Sequence, residues 1–281
     1  MNENNYTIGM ALEWGEHALQ ETGTTTPALD AEVLLSYAAN LTKEQIFFDI
    51  SMPLEEKSFF DYERLIARRK NGEPVAYIIG KKEFFGLEFE VDSCVLIPRP
   101  ETEELVEKAL DHIKDFKGRK ITILDLGTGS GAIVVAIVSS IKKWQEKYEF
   151  DISKFKFIAS DVSTEALAKA KKNAKKCGVD KMIKFVESDL LKNIEETKEI
   201  DLIVANLPYL DPAKRNEYSP ELSEEPAVAL YAGANGMDYY AELFREIEEA
   251  NISPKVILEC FEAQKKEIIK LYEKVECIVV D

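Results

Sequence analysis

The sequence predicts an α/β protein: a mostly parallel sheet covered by helices on both faces, preceded by a small all-helical domain and a β-hairpin. Three observations predict it. From residue 121 onward, short apolar runs alternate with helix-length stretches, the pattern of parallel strands joined by crossover helices. A glycine-rich turn follows the first of those runs at once. Residues 6 to about 71 carry helical periodicity and no strand pattern.

The composition sets limits. At 281 residues the chain is long enough for one large domain and a smaller one, and 46% hydrophobic content is that of an ordinary globule. No stretch reaches the roughly 18 uninterrupted apolar residues of a membrane helix, and Met1 to Asn5 lack a basic segment leading into an apolar run. The expectation is a cytoplasmic monomer with no membrane contact. Cys94, Cys177, Cys260 and Cys277 are scattered, and neither His17 nor His112 is near a cysteine, so neither a metal site nor a disulfide framework is expected. Net charge is −16, from 36 basic and 52 acidic residues, which argues against direct nucleic-acid binding through phosphates. One basic cluster, Lys169, Lys171, Lys172, Lys175, Lys176, Lys181 and Lys184, reads as the solvated outer face of a helix and its exit.

In chain order, the first helix carries Met10, Leu12, Trp14 and Leu19. The second opens with Thr26 as cap and Pro27 in its first turn, with Leu29, Val33, Leu34 and Leu35 as apolar positions. Thr42 caps a short third helix through Phe47 and Phe48. A fourth runs from about Pro53 to Gly72 and ends in Arg68-Arg69-Lys70, basic residues that suit a helix C-terminus. Such short helices must bundle to bury their stripes. From Val75 to Val95 the β-branched and aromatic residues, punctuated by Gly80 and Gly86, read as strand and hairpin. Ile97-Pro98-Arg99-Pro100-Glu101-Thr102-Glu103 then combines two prolines with acids that favour a helix start. The domain boundaries expected are 1–73 for a helical substrate-recognition domain, 74–98 for the hairpin linker and 99–281 for the sheet domain. Within the last, strands are predicted at 121–124, 155–159, 183–186, 202–205 and 256–258, and helices near 131–146, 163–177, 236–250 and 262–273.

Four strand ends carry polar chemistry. Asp125-Leu126-Gly127-Thr128-Gly129-Ser130-Gly131-Ala132 follows the first strand and runs into a helix, so the backbone can approach a ligand closely. Its spacing also fits a dinucleotide pyrophosphate loop, so alone it leaves S-adenosylmethionine and a nicotinamide cofactor both open. The second strand ends in Asp161, able to accept both ribose hydroxyl hydrogens; the third in Asp189-Leu190, suited to an adenine amino group and ring face. The fourth ends in Asn206-Leu207-Pro208-Tyr209. The Asn206 side-chain oxygen and the Leu207 carbonyl, held extended before Pro208, can accept both hydrogens of a planar NH2 group, and Tyr209 can stack on it. Together these ends line the carboxyl edge where an open α/β sheet binds ligands, a joint pattern that favours a methyltransferase.

The chain resembles the release-factor glutamine methyltransferases. The resemblance lies in Gly72-Glu73-Pro74-Val75-Ala76-Tyr77-Ile78-Ile79-Gly80, Glu83-Phe84-Phe85-Gly86-Leu87, Leu96 to Glu103, the glycine loop, Asn206 to Tyr209, Glu225-Pro226 with Ala229-Leu230, and Gly236-Met237-Asp238. It implies a Rossmann-like class I methyltransferase domain of the seven-stranded type behind a helical domain. It also implies S-adenosylmethionine as methyl donor, S-adenosylhomocysteine as product, and as partner a peptide chain release factor, methylated on N5 of the glutamine in its Gly-Gly-Gln motif. By the same resemblance, Asn206, Leu207, Pro208 and Tyr209 would hold that amide. Gly127, Thr128, Gly129, Ser130, Gly131, Asp161, Asp189, Leu190 and Asn206 would hold the cofactor. The family's usual form is Asn-Pro-Pro-Tyr; Leu207 makes this one similar also to ribosomal-RNA adenine dimethyltransferases. The family usually carries a final strand after a segment like Val275 to Asp281, where this chain stops. The alternatives are an adenine-N6 methyltransferase on RNA or DNA, a nicotinamide dehydrogenase and a non-catalytic binding module.

Overall fold

A computed structural model of the chain describes residues 6–22, 24–115, 119–147 and 151–280. It resolves into two compact units, Met1–Gly80 and Lys81–Asp281.

The first unit is helical: α1 (Ile8–Gln20), α2 (Pro27–Ala39), α3 (Lys43–Phe48), α4 (Glu56–Lys70) and α5 (Val75–Ile79). Thr7 caps α1, and Thr42 closes a reciprocal capping box with Gln45 on α3. Thr26 precedes Pro27 as expected, but its hydroxyl donates to Asp30 instead of capping the backbone. The buried stripe of α1 is Ile8, Ala11, Gly15 and Leu19. Of the apolar positions named from sequence, Leu19 is on that stripe, whereas Met10 and Trp14 lie off it and are exposed. Asp30 and Arg69 form a buried ion pair at 2.7 Å, and the Arg69 guanidinium also donates to Thr24. Deleting either partner of such a pair costs about 3–5 kcal/mol, because the other charge is left buried alone.

Residues 75–79 correct the expectation of a strand beginning at Val75. They form the one-turn helix α5, ended by Gly80 in the left-handed region, with Tyr77 and Ile78 buried. Only β1 (Lys81–Phe84) and β2 (Leu87–Glu90) make the antiparallel hairpin. Its two-residue turn has positive φ at both Phe85 and Gly86, the geometry that matches strand twist.

In the second unit, β3 (Ile121–Leu126), β4 (Phe155–Asp161), β5 (Ile183–Glu187), β6 (Ile200–Ala205), β7 (Lys255–Phe261) and β8 (Val275–Val280) form one sheet in the order β5-β4-β3-β6-β7-β8, every neighbouring pair parallel. This sheet has six strands among the described residues. Helices α6 (Thr102–Lys114), α7 (Ala132–Lys147) and α8 (Thr164–Lys176) pack into the cluster that holds Ile121 and Ile123. Helices α9 (Asp238–Glu249) and α10 (Glu262–Leu271) pack into the cluster that holds Leu124 and Leu126. Successive strand residues therefore feed opposite cores, which is why the strands read as unbroken apolar runs. Among the described residues no helix is long and apolar enough to cross a membrane.

The lysine cluster is not simply a solvated face. Lys169, Lys172 and Lys176 share one side of α8 and pair with Asp92, Glu90 and Glu88 at 2.6, 2.5 and 2.7 Å. Between them the buried Asn173 accepts from the Glu90 N–H and donates to the carbonyls of Glu90 and Ser130. The acids of β2 and the residues just after it thus have partners on α8.

Candidate active site

Strand register builds the site. The chain starts in the middle of the sheet at β3, moves outward through β4 and β5, and returns to β6 on the other side of β3. A sheet that reverses direction in this way opens a crevice at the carboxyl ends of its two central strands. Leu126 pairs with Ser160 on one side and Ala205 on the other, and Ala205 pairs with Leu258. The residues that follow, Gly127, Asp161, Asn206 and Glu259, therefore stand in one row along the sheet edge. A cleft lies over this row, lined among others by Pro98, Arg99, Thr102, Leu190 and Pro226.

One half of the cleft is held by backbone donors. The N–H of Gly129 donates to one Asp161 carboxylate oxygen at 2.8 Å and the N–H of Ser163 to the other at 2.9 Å. Burial pushes the Asp161 carboxyl up, and these amides oppose the shift. Beneath the loop, Asp125 is fully buried and accepts from the Thr128 hydroxyl at 2.6 Å and from the N–H of Val134 at 3.2 Å. Its other oxygen has no hydrogen-bond partner among the described residues, and burial raises the group to about 7. Gly129 has φ of +54° and open space where a Cβ would stand, so the backbone there is bare to a ligand. Leu190 holds a left-handed conformation at φ +49°, unusual for a branched residue, kept by the Ser188 hydroxyl bonded to its carbonyl and the Glu246 carboxylate bonded to the next N–H.

The other half is held by side-chain hydroxyls. Thr102, at the start of α6, donates to Glu259 at 2.6 Å; Tyr209 donates to the second Glu259 oxygen at 2.9 Å; and the Asn206 Nδ2 donates to Thr102 at 3.1 Å. Glu259 is 1% exposed, and burial raises its carboxyl above the ordinary range while the Thr102 and Tyr209 hydroxyls pull it back. Burial likewise raises the Tyr209 hydroxyl. The proline-rich segment is fastened by Glu225, which accepts from the N–H of Ile97 at 2.9 Å and pairs with Arg99.

Of the residues expected from sequence, Gly127, Thr128, Gly129, Ser130, Asp161, Asp189, Leu190, Asn206, Leu207 and Pro208 all line the cleft. Two stand elsewhere. Gly131 packs against α8, 3.1 Å from Ala170 at the position of its missing Cβ. Tyr209 meets Phe261 edge-on at 4.9 Å and points its hydroxyl at Glu259. Asp189 lines the cleft and is also paired with Lys192 at 2.5 Å. The Leu207 side chain is buried, close to Gly127. Glu259 and Thr102 stand outside the site residues expected from sequence. For Glu259 a signal existed: it is the single charge inside the apolar run Val256-Ile257-Leu258-Glu259-Cys260, and a lone acid in a buried strand needs partners.

Family models match within both units of the chain. A family model described as the PrmC N-terminal domain matches residues 10–80, and one described as the RMKL-like methyltransferase domain matches residues 105–232. The release factor glutamine methyltransferase of Rhodopirellula baltica is 34% identical over 92% of this chain and 85% of its own. That of Bacillus subtilis is 36% identical over 86% and 80%. Among solved structures, the hMettl16 catalytic domain overlays 74% of this chain and 73% of its own with a TM-score of 0.47 at 17% identity. With relatives of this identity aligned over most of both chains, the protein belongs to the release factor glutamine methyltransferase family.

Proposed function

We propose that the protein transfers a methyl group from S-adenosylmethionine to the N5 side-chain amide nitrogen of the glutamine in the Gly-Gly-Gln motif of a peptide chain release factor. One observation carries the reading: Asn206 lines the cleft with its NH2 end turned to Thr102, so the end offered to a ligand is its carbonyl oxygen. That oxygen and the Leu207 carbonyl supply two acceptors for the two hydrogens of a primary amide.

The residues present fit the cofactor. The bare backbone at Gly129 suits close approach by its methionine part, Asp161 keeps lone pairs for ribose hydroxyls, and Asp189 and Leu190 suit the adenine amino group and face. When bound, S-adenosylmethionine supplies a methyl on a sulfonium centre, which leaves as a neutral thioether. The chain's own contribution is then positional. Asn206 and the Leu207 carbonyl hold the amide nitrogen with its lone pair aimed along the line of transfer, and both acceptors strengthen as positive charge develops on that nitrogen. Tyr209, anchored on Glu259, supports the wall behind the amide.

An adenine amino group presents the same two hydrogens, and the Asn-Leu-Pro-Tyr form favours it as a second reading. Labelled-cofactor transfer separates them. Incorporation into a release factor, abolished when its Gly-Gly-Gln glutamine is changed to alanine, is the result expected; incorporation into ribosomal RNA or DNA instead would overturn the first reading.

A further inference from the structure

Asn206 can bind an amide NH2 only if its own amide faces the right way round, and nothing in a planar Asn side chain by itself decides that. The decision is made two residues away. The Thr102 hydroxyl carries one proton, and that proton is committed to the Glu259 carboxylate at 2.6 Å. The Thr102 oxygen can then only accept from Asn206, so the NH2 end of Asn206 must face it, at 3.1 Å. Glu259 is 1% exposed and Thr102 4%, so water has little access to scramble the order.

We propose that Glu259 and Thr102 are positioning residues: a one-way chain of hydrogen bonds, carboxylate from hydroxyl and hydroxyl from amide, sets the Asn206 carbonyl toward the cleft and so makes the site select an amide over a carboxylate. The inference rests on the reading of Asn206 as the acceptor for the substrate amide. Remove the acceptor at Glu259, and the Thr102 proton turns toward Asn206, which then flips and offers NH2 to the cleft. Such a site binds a glutamate side chain in place of glutamine. Remove the hydroxyl at Thr102, and Asn206 loses the acceptor that fixes its amide, keeping only the weaker direct pull of the Glu259 carboxylate on its NH2 end.

The test uses the full-length enzyme with a Gly-Gly-Gln peptide as substrate and the corresponding Gly-Gly-Glu peptide as competitor. Three variants are needed, Thr102→Val, Thr102→Ser and Glu259→Leu, with S-adenosylhomocysteine affinity as the check on folding. Thr102→Val should lower kcat/KM roughly tenfold or more, the effect of losing a hydrogen bond that orders a buried polar group. The preference for glutamine over glutamate should shrink in both Thr102→Val and Glu259→Leu, whereas Thr102→Ser should keep it. The double variant Thr102→Val/Glu259→Leu should fall no further than the weaker single one, since both cut the same chain. An unchanged glutamine preference in cofactor-binding Thr102→Val, or additive losses in the double variant, overturns the proposal. Should Thr102→Val not bind cofactor, Glu259→Leu carries the same discrimination test. Failure of the underlying reading looks different: the unaltered enzyme would then not methylate the glutamine peptide at all.

Discussion

The two halves of the cleft solve the same problem with different materials. Each places buried carboxylates beside a ligand site. On the glycine-loop side, Asp161 is held entirely by backbone N–H groups and Asp125 by one hydroxyl and one N–H. On the amide side, Glu259 is held by the hydroxyls of Thr102 and Tyr209, and through Thr102 it controls Asn206. Backbone donors come with any residue, need only a chain path to aim them, and cannot be reversed. Hydroxyls can rotate, so their direction depends on what else surrounds them. On the proposed function, the first arrangement suits a robust grip on a constant cofactor, the second a directional reading of one functional group.

The largest expected break in this contrast is at Asn206. Asn206→Ala removes an acceptor whose hydrogen bond strengthens as charge develops, and turnover should fall by roughly 100-fold or more. S-adenosylhomocysteine affinity, measured by calorimetry, should change little. Retained turnover would mean that the amide side is not where the reacting nitrogen sits. A smaller and opposite signature belongs to Asp161. Asp161→Ala should weaken cofactor affinity about 10- to 100-fold, the worth of one or two hydrogen bonds to a charged group plus a loosened Gly129. The rate at saturating cofactor should be nearly kept, and unchanged affinity would remove Asp161 from the cofactor half.

The smallest effect sharpens the role of burial. Asp125 has a folded-state value of about 7 against an ordinary value of 3.8. Between those values the folded protein keeps a proton that the unfolded chain has released. Its contribution to stability is therefore fully present below about pH 4 and is lost as pH rises through about 7. Asn at this position can still accept from Thr128 and Val134 through its carbonyl oxygen but cannot ionise. Thermal unfolding at about pH 5 and pH 8 should show a larger drop for the unaltered protein than for Asp125→Asn. Equal drops would show that folded Asp125 is already ionised at pH 5, as it is in the unfolded chain.

The legibility of the two halves in the sequence follows from the same difference. The glycine loop, Asp161, Asp189-Leu190 and Asn206 to Pro208 each occupy a few consecutive residues at the end of an apolar run, so order along the chain already aligned them. Val75–Ile79 reads as strand in the sequence because a single helical turn has too few residues to show its period, and its ending depends on Gly80 and on burial of Tyr77 and Ile78. The lysines of α8 were readable as one helix face but not as partners of Asp92, Glu90 and Glu88, because those contacts cross about 80 residues of chain.

By itself the sequence determined the doubly covered parallel sheet and which residues stand at the carboxyl ends of its strands, because local patterning and strand order carry that information. The tertiary structure alone decided which way Asn206 faces. Thr102 lies 157 residues from Glu259 and 104 from Asn206, and only the pairing of β6 with β7 beside the start of α6 brings the three together. Hydrogen-bond polarity is a property of that assembled chain of donors and acceptors, and no single residue in it carries a direction.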